Sequence, residues 1–351
     1  MFSALPQRQL VLLNIPKRLF LHAPNIHVGG GLSLLQAFYG AAESSIDFEQ
    51  LDVRAKANLK PGRAERHWVR PTLFSRLAAE WRLRTRVKAD DVVLCFHGLV
   101  PLFPLKGRVT VFLQNRILVS SDSLKSYPIK TRLRLWGERL MLRSFARRIE
   151  KFVVQTPSMA EQVREFLGEE NSVVVCPFVL ADIGVAQAPV EKIYDFVYVA
   201  SAEPHKNHLK LLGAWCLLAE QGLRPSLALT VPLDISLSIK IQELKRTCAL
   251  NVFNLGQLSP GEVGALYDQS SALIYPSITE SLGLPLIEAN SRKLPIIAAE
   301  LDYVRDIVEP VQTFDPASCM SIARAVKRHL GSDQPMQAIH RPEVFLWEVM
   351  R

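Results

Sequence analysis

The stretch that decides how this chain reads is "YPSITESLGLPLIEANSRKLPIIAAE", residues 275–300. The apolar run "SALIY" enters it and "LPIIAA" leaves it, while Glu280 and Glu288 stand on either side of Gly283 and Pro285. Strand, loop, helix and strand in that order form the repeating unit of a parallel sheet with helices on its faces. Pro285 suits the first helical turn, where its missing N–H costs nothing. Gly283 lets the backbone approach a bound group. The N–H groups from Ser281 through Leu282 and Gly283 to Leu284 would then cradle phosphate oxygens at the helix mouth. Glu288, about one turn inside, has the wrong charge for phosphate but can accept hydrogen bonds from adjacent hydroxyls such as those of a ribose. Glu280 can do the same for a sugar at the far end of a diphosphate. The plainer alternative is a surface helix whose acidic first turn is favoured by the helix dipole.

The same alternation runs both ways along the chain. Downstream of residue 193, "YDFVYVAS", "SLALTV", "NVFNLG", "SALIYPS", "LPIIAA" and "VQTFD" read as strands. Helices are expected over 206–221, 235–247, 260–268, around Glu288, near 302–308 and over 316–330. Upstream, "RLFLH", "IDFEQLDV", "RHWVR", "DVVLCF", "VTVFLQ", "KFVVQ" and "SVVVCPF" are strand candidates, with "LVLLN" a further one. Helices are expected over 32–43, 73–86, 130–148 and from Pro157. The runs are short and do not alternate cleanly, as expected of strands covered on both faces. The segment "VLADIGVAQAPVEK" (179–192) breaks the periodicity and reads as a linker. The expectation is an α/β chain of two doubly wound domains, 1–185 and 186–330, facing each other across a cleft. A segment 331–351 would return to the first domain. Ligands of such sheets sit beyond the carboxyl ends of the strands, so the cleft is the default site.

Bulk properties agree. A chain of 351 residues exceeds one ordinary core, and 48% hydrophobic with 22% charged residues suits folded, soluble domains. No run approaches 18 uncharged apolar residues, so no transmembrane span is expected. The opening "MFSALPQRQLVLLNIPKR" has neither a basic start nor a small-residue cleavage site, so no secretory signal is expected. Five cysteines without a CxxC pair point to buried thiols in a reducing compartment, the cytoplasm. No Asp-x-Asp and no His/Cys/Asp cluster has metal-ligand spacing, so a metal-independent site is expected, with no cofactor. No Ser-His-Asp arrangement or nucleophile elbow is visible.

The register of Pro276, Glu280, Gly283, Pro285, Glu288 and Ala289 resembles the signature E-x-F/L-G-L-P-x-x-E-A of the retaining GT-B glycosyltransferases of family 4. The resemblance covers 193–330 well and the first half more weakly. It implies that Glu288 holds the ribose of a nucleotide-sugar and that Glu280 contacts the donor sugar. "YVASAEPHKNHLKLL" (198–212) resembles the diphosphate loop, with Lys206 at its lysine and Asn207 capping or orienting. The arginine usual a few residues earlier is absent, since Ala200, Ser201 and Ala202 stand there; His205 or a residue elsewhere would have to compensate. Gly30 and Gly31 in "HVGGG" resemble the family's glycine-pair loop, although a triple glycine alone is equally a flexible loop. His97, after "DVVLCF", matches a histidine that touches the donor sugar. Asn115 and Arg116 would line the acceptor side. "SRK" at 291–293 departs from the usual small residue and glycine, and Lys293 is expected to end the helix in its place. The closing "RPEVFLWEVMR" looks like the family's C-terminal segment.

Between Lys125 and Lys151 lie nine basic residues against two acidic ones, nearly the whole net charge of +8. The helix there carries two apolar stripes: Ile129, Leu133, Trp136 and Leu140, and Leu135, Leu142, Phe145 and Ile149. One must pack on the sheet. Its arginines suit an anionic inner-membrane surface or an acidic acceptor better than nucleic acid, because no nucleic-acid-binding pattern accompanies them. The function this implies is hexose transfer from a nucleoside diphosphate sugar to a glycan or lipid-linked saccharide. The rivals are a nucleotide-sugar epimerase of similar fold and a non-catalytic GT-B subunit.

Overall fold

The computed structural model describes residues 18–351 other than 43–44, 61, 121–123, 179–189, 234 and 333–340. The expected strand "LVLLN", most of the N-terminal stretch read for a signal, and the 185/186 boundary within the linker lie outside the described residues.

The first sheet is built from β1 (Leu19–Ala23), β2 (Ile46–Asp52), β3 (Glu65–Val69), β4 (Val92–Cys95), β5 (Arg108–Phe112), β6 (Lys151–Val154) and β7 (Val173–Val175). All pairs are parallel, in the order β3-β2-β1-β4-β5-β6-β7. Neighbouring residues of one strand serve opposite cores. Phe20, Val93 and Val111 pack with α2 (Leu73–Arg86), α3 (Ile129–Phe145) and α4 (Pro157–Leu167), through Leu83, Leu135, Leu142, Met159 and Val163. Leu21, Leu51 and Phe112 pack with α1 (Gly29–Ala42) through Leu34 and Leu35. Burial on both faces is why strands such as β4 and β6 read as short apolar runs without clean alternation.

The second sheet joins β8 (Tyr194–Tyr198), β9 (Leu227–Leu229), β10 (Val252–Asn254), β11 (Ser270–Tyr275), β12 (Ile296–Ala299) and β13 (Gln312–Phe314). It is again all parallel, in the order β10-β9-β8-β11-β12-β13. Its helices are α5 (His208–Glu220), α6 (Ser236–Thr247), α7 (Pro260–Asp268), α8 (Leu284–Ser291), α9 (Asp302–Arg305) and α10 (Cys319–His329). A last helix, α11 (Pro342–Met350), presents its described side chains to solvent. The chain therefore folds as two Rossmann-like domains arranged across a cleft, the GT-B architecture. Strand order reverses between β1 and β4 in one sheet and between β8 and β11 in the other, which opens a ligand crevice at each switch point.

Three details refine the expectations. Helix α1 starts at Gly29, so its glycines form the first turn of a helix and not a loop. Helix α8 begins after Gly283 at φ +73° and ends in a Schellman turn. There Lys293 takes φ +56°, donating to Asn290 O, and Leu294 N–H reaches Ala289 O, so a lysine does the work usual for glycine. On α3 the stripe of Leu135 and Leu142 is buried, while Ile129, Leu133, Trp136 and Leu140 are 52–64% exposed. Of the cysteines only Cys95 is buried; Cys176 is exposed and the others are half-buried, all with free thiols.

Candidate active site at the facing switch points

On the second domain, β8 ends at Tyr198 and the chain turns through Pro204–Lys206 into Asn207, a left-handed residue at φ +62°. Asn207 orients and does not cap: its Nδ2 donates to Pro276 O (3.1 Å) and Pro316 O (2.8 Å), fastening this turn to the loops after β11 and β13. That fastening brings Lys206 Nζ to 2.7 Å from Glu280 Oε1, a half-buried ion pair. Both residues are expected at the site from the sequence, and the structure brings them into contact. Ser281, Leu282 and Gly283 follow at the mouth of α8, with Leu284 as its first residue. Glu288 faces inward one turn on. Burial raises its carboxyl above the ordinary range, against the opposing pull of a hydrogen bond from Tyr267 and the charge of Arg292.

Beneath these side chains lies a layer of tyrosines that sequence analysis did not single out. Tyr275 OH donates to Glu280 Oε1 (3.0 Å) and Tyr267 OH to Glu288 Oε2 (2.9 Å). Tyr198 OH donates to Lys206 O (2.7 Å) and so accepts from the Ser277 hydroxyl at 2.9 Å. Tyr303 OH donates to Ser277 O (2.7 Å). All four rings are buried in the core. Burial first, and for Tyr267 and Tyr275 the adjacent carboxylates next, push the phenols far above their usual range, so each stays an O–H donor. In sequence they look like core aromatics; the available signal, for Tyr198 and Tyr275 alone, was a place at the last residue of β8 and of β11.

The first domain is wired differently. His22 Nδ1 meets Gln50 Oε1 at 2.7 Å and Nε2 meets Glu80 Oε1 at 3.3 Å, with all three side chains fully buried. Arg76 Nε donates to the same Glu80 oxygen (3.2 Å), and its Nη2 to His97 Nε2 (2.9 Å). An arginine can only donate, so His97 Nε2 accepts and Nδ1–H must donate to His22 O at 3.2 Å. Burial, then the charge of Arg76, hold His97 well below the usual imidazole range, and the ring is neutral. Although burial alone would raise it, the Glu80 carboxyl lies below its ordinary range because of His22, Arg76 and the Leu102 N–H. His97 thus sits at the carboxyl end of β4 as expected, with both ring nitrogens engaged inside its own domain.

The two switch points touch. A Cβ on Gly30 would stand 3.3 Å from Leu284 Cδ1 of the second domain, and one on Gly31 would stand 3.3 Å from Gln114 Oε1 and from Ile26 Cδ1. The N-termini of α1 and α8 therefore converge. Tyr127 OH meets His205 Nδ1 across the cleft at 3.0 Å. Burial, then Lys206, lower the His205 pKa, while Glu280 and Glu203 pull it the other way. Arg116 points to the domain interface and not to an open acceptor face, reaching Glu280 O at 3.4 Å; Asn115 caps the turn that carries it. His208 is buried against the Tyr198 ring. Among the described residues, no group of His, Cys, Asp or Glu side chains could hold a metal ion.

Residues 185–341, somewhat under half of the chain, match the family described as "Glycosyl transferases group 1". The serotype-specific mannosyltransferase WbdA of Escherichia coli is 32% identical over 139 residues, 39% of this chain and 17% of that protein. The O-antigen chain mannosyltransferase RfbU of Salmonella typhimurium is 27% identical over 125 residues, covering 34% of this chain and 33% of that one. The chain thus matches only a third or less of the length of these two curated relatives. Among solved structures, Anabaena HepE in complex with UDP and glucose superposes with a TM-score of 0.67 at 14% identity, covering 89% of each chain. The apo lipopolysaccharide outer core galactosyltransferase WaaB superposes with a TM-score of 0.61 at 15% identity over 89% and 90%. At those identities the likeness is one of fold.

Proposed function

We propose that this protein is a retaining, metal-independent glycosyltransferase of family 4. It would move a hexose from a nucleoside diphosphate sugar to a hydroxyl of a glycan or lipid-linked oligosaccharide in surface-polysaccharide synthesis. The observation that carries this reading is the pairing of Lys206 with Glu280 beside the α8 mouth, with Glu288 one turn inside. Backbone N–H groups from Ser281 to Leu284 and the Lys206 ammonium would neutralise the departing diphosphate. Tyr267 occupies Glu288 Oε2, which directs Oε1 to the ribose hydroxyls. Glu280 would bind the sugar, with Gly30 and Gly31 closing over it. In a front-face substitution the donor phosphate helps to remove the acceptor proton, so the protein contributes position and electrostatics rather than a nucleophile. His97 would touch the donor sugar as a neutral ring. The curated relatives are named as mannosyltransferases, which makes mannose the first hexose to test.

The same reading places the protein on the cytoplasmic face of the inner membrane. Among the described residues no helix is long and apolar enough to cross a bilayer. What supports peripheral contact is α3, whose outward stripe of Ile129, Leu133, Trp136 and Leu140 lies among arginines. Each cation near an anionic surface contributes about 1 kcal/mol. Residues 331–351 are proposed as a segment that returns to the first domain.

Saturation-transfer NMR against a panel of nucleotide-sugars, with Glu288→Ala as control, tests the donor site. Selective binding of one nucleotide-sugar that disappears in the variant is expected. No binding by folded protein would favour a non-catalytic subunit, and a donor altered without any acceptor present would favour an epimerase.

A further inference from the structure

Two contacts cross the cleft in opposite directions and meet on Ser158. Arg116, in the turn after β5, is only 9% exposed. Its Nε donates to Gln162 Oε1 (2.7 Å) and its Nη1 to Ser158 Oγ (3.3 Å), both on α4 of its own domain. The same Nη1 lies 3.4 Å from Glu280 O in the second domain, and the guanidinium stands 5.9 Å from the centre of the Tyr303 ring. From the other side Asp306, directly after α9, accepts the Ser158 N–H at 3.0 Å. Thr156 Oγ1 already accepts from Met159 N, so the start of α4 is capped by one acceptor from each domain. A guanidinium withdrawn from water is stable where its N–H groups meet acceptors, and one of its acceptors here, Glu280 O, is met only while the cleft is closed. Tyr303, under the guanidinium, holds Ser277 O of the loop that leads to Glu280.

With Glu280 read as the donor-sugar contact proposed above, we infer that Arg116 is a positioning residue. It ties domain closure to the placement of Glu280, through the Glu280 carbonyl and the Ser158–Asp306 contact. When the domains part, Glu280 loses its backbone tether while Lys206 and Tyr275 still hold its side chain. The donor then binds to the second domain without being set for transfer, and only closure completes the arrangement. Arg116 touches neither the nucleotide nor the sugar in this scheme, so its effect belongs to turnover and not to nucleotide affinity.

The test uses the full chain as Arg116→Gln, Arg116→Lys and Asp306→Asn. X-ray scattering reports closure, calorimetric titration with UDP and GDP reports the nucleotide site, and kcat is measured apart from KM. In Arg116→Gln the expected result is an expanded scattering profile, nucleotide Kd within about threefold of wild type, and kcat lower by about 10²-fold. Arg116→Lys should recover part of kcat, because one ammonium can reach Glu280 O but cannot also span Gln162 and Ser158. Asp306→Asn leaves Arg116 in place and should show the same pattern more weakly, which keeps the test alive if Arg116→Gln does not fold. Scattering unchanged in both variants, kcat kept within about threefold, or nucleotide affinity falling in parallel with kcat would each overturn the inference. Should wild-type protein transfer no sugar from any donor, the transfer reading falls alone, and scattering still decides whether Arg116 holds the cleft closed.

Discussion

The two domains share one topology yet treat polar side chains in opposite ways. In the second domain Lys206, Glu280 and Glu288 stand in the cleft and are braced from below by tyrosine hydroxyls. In the first, His22, Gln50 and Glu80 are sunk in the core and spend their hydrogen bonds on one another, with Arg76 and His97 closing the chain. One arrangement keeps charge available to a ligand. The other fixes a scaffold, and a fully satisfied buried network does so rigidly. The proposed donor side can therefore be read from residue types, whereas the first domain offers residue types already committed to its own core.

The sharpest way to break this contrast is Glu288→Ala, which should weaken nucleotide-sugar binding by about 10²-fold, since two hydrogen bonds to a charged group are lost. Titration of folded protein checks it, and an unchanged Kd would remove Glu288 from the site. Next comes Glu80→Gln, which leaves His22 and Arg76 without their carboxylate. Breaking such a buried pair costs roughly 3 kcal/mol of stability. Denaturant unfolding should show that loss while nucleotide binding to the second domain persists. If binding fell with stability, the two halves would be one unit. Tyr275→Phe removes a single hydroxyl donor from Glu280 and should lower transfer about tenfold, or about 1.4 kcal/mol, with little change in melting temperature.

The smallest effect is a pH dependence. Burial, then Lys206, hold His208 down to about 4, and burial leads the downward shifts of His97 and His205. Their neutral forms belong to the folded state, so the unfolded chain binds more protons below about pH 6.5. Stability should be fully present above that pH and decline as pH falls toward 4. Melting temperatures across this window check the sign, and His208→Phe should flatten the slope.

Much of the fold was legible because most described strands coincide with short apolar runs bounded by turn residues, and strand and helix alternate through most of the chain. The start of α1 was not. Glycine is costly inside a helix, so "VGGG" reads as loop, yet Gly30 and Gly31 sit where a larger side chain would press on Leu284, Gln114 and Ile26. That reason is tertiary and has no local trace. Lys206, Glu280 and Glu288 were legible because two of them lie in one contiguous motif and the third follows a strand end. The tyrosines beneath them were not, because a buried ring with a working hydroxyl has the same sequence appearance as one without. On α3 two stripes competed, and only packing decided that Leu135 and Leu142 face the core.

On the proposed donor reading, the Lys206–Glu280 ion pair would bear on what leaves the site as well as on what enters. A spent nucleoside diphosphate would draw Lys206 away and strand Glu280 in a half-buried position with no sugar hydroxyls to satisfy it. An intact donor offers Glu280 new partners at the moment it takes Lys206. The exchange taxes the product more than the substrate, so re-formation of this one contact would help to expel the nucleotide once the sugar has gone.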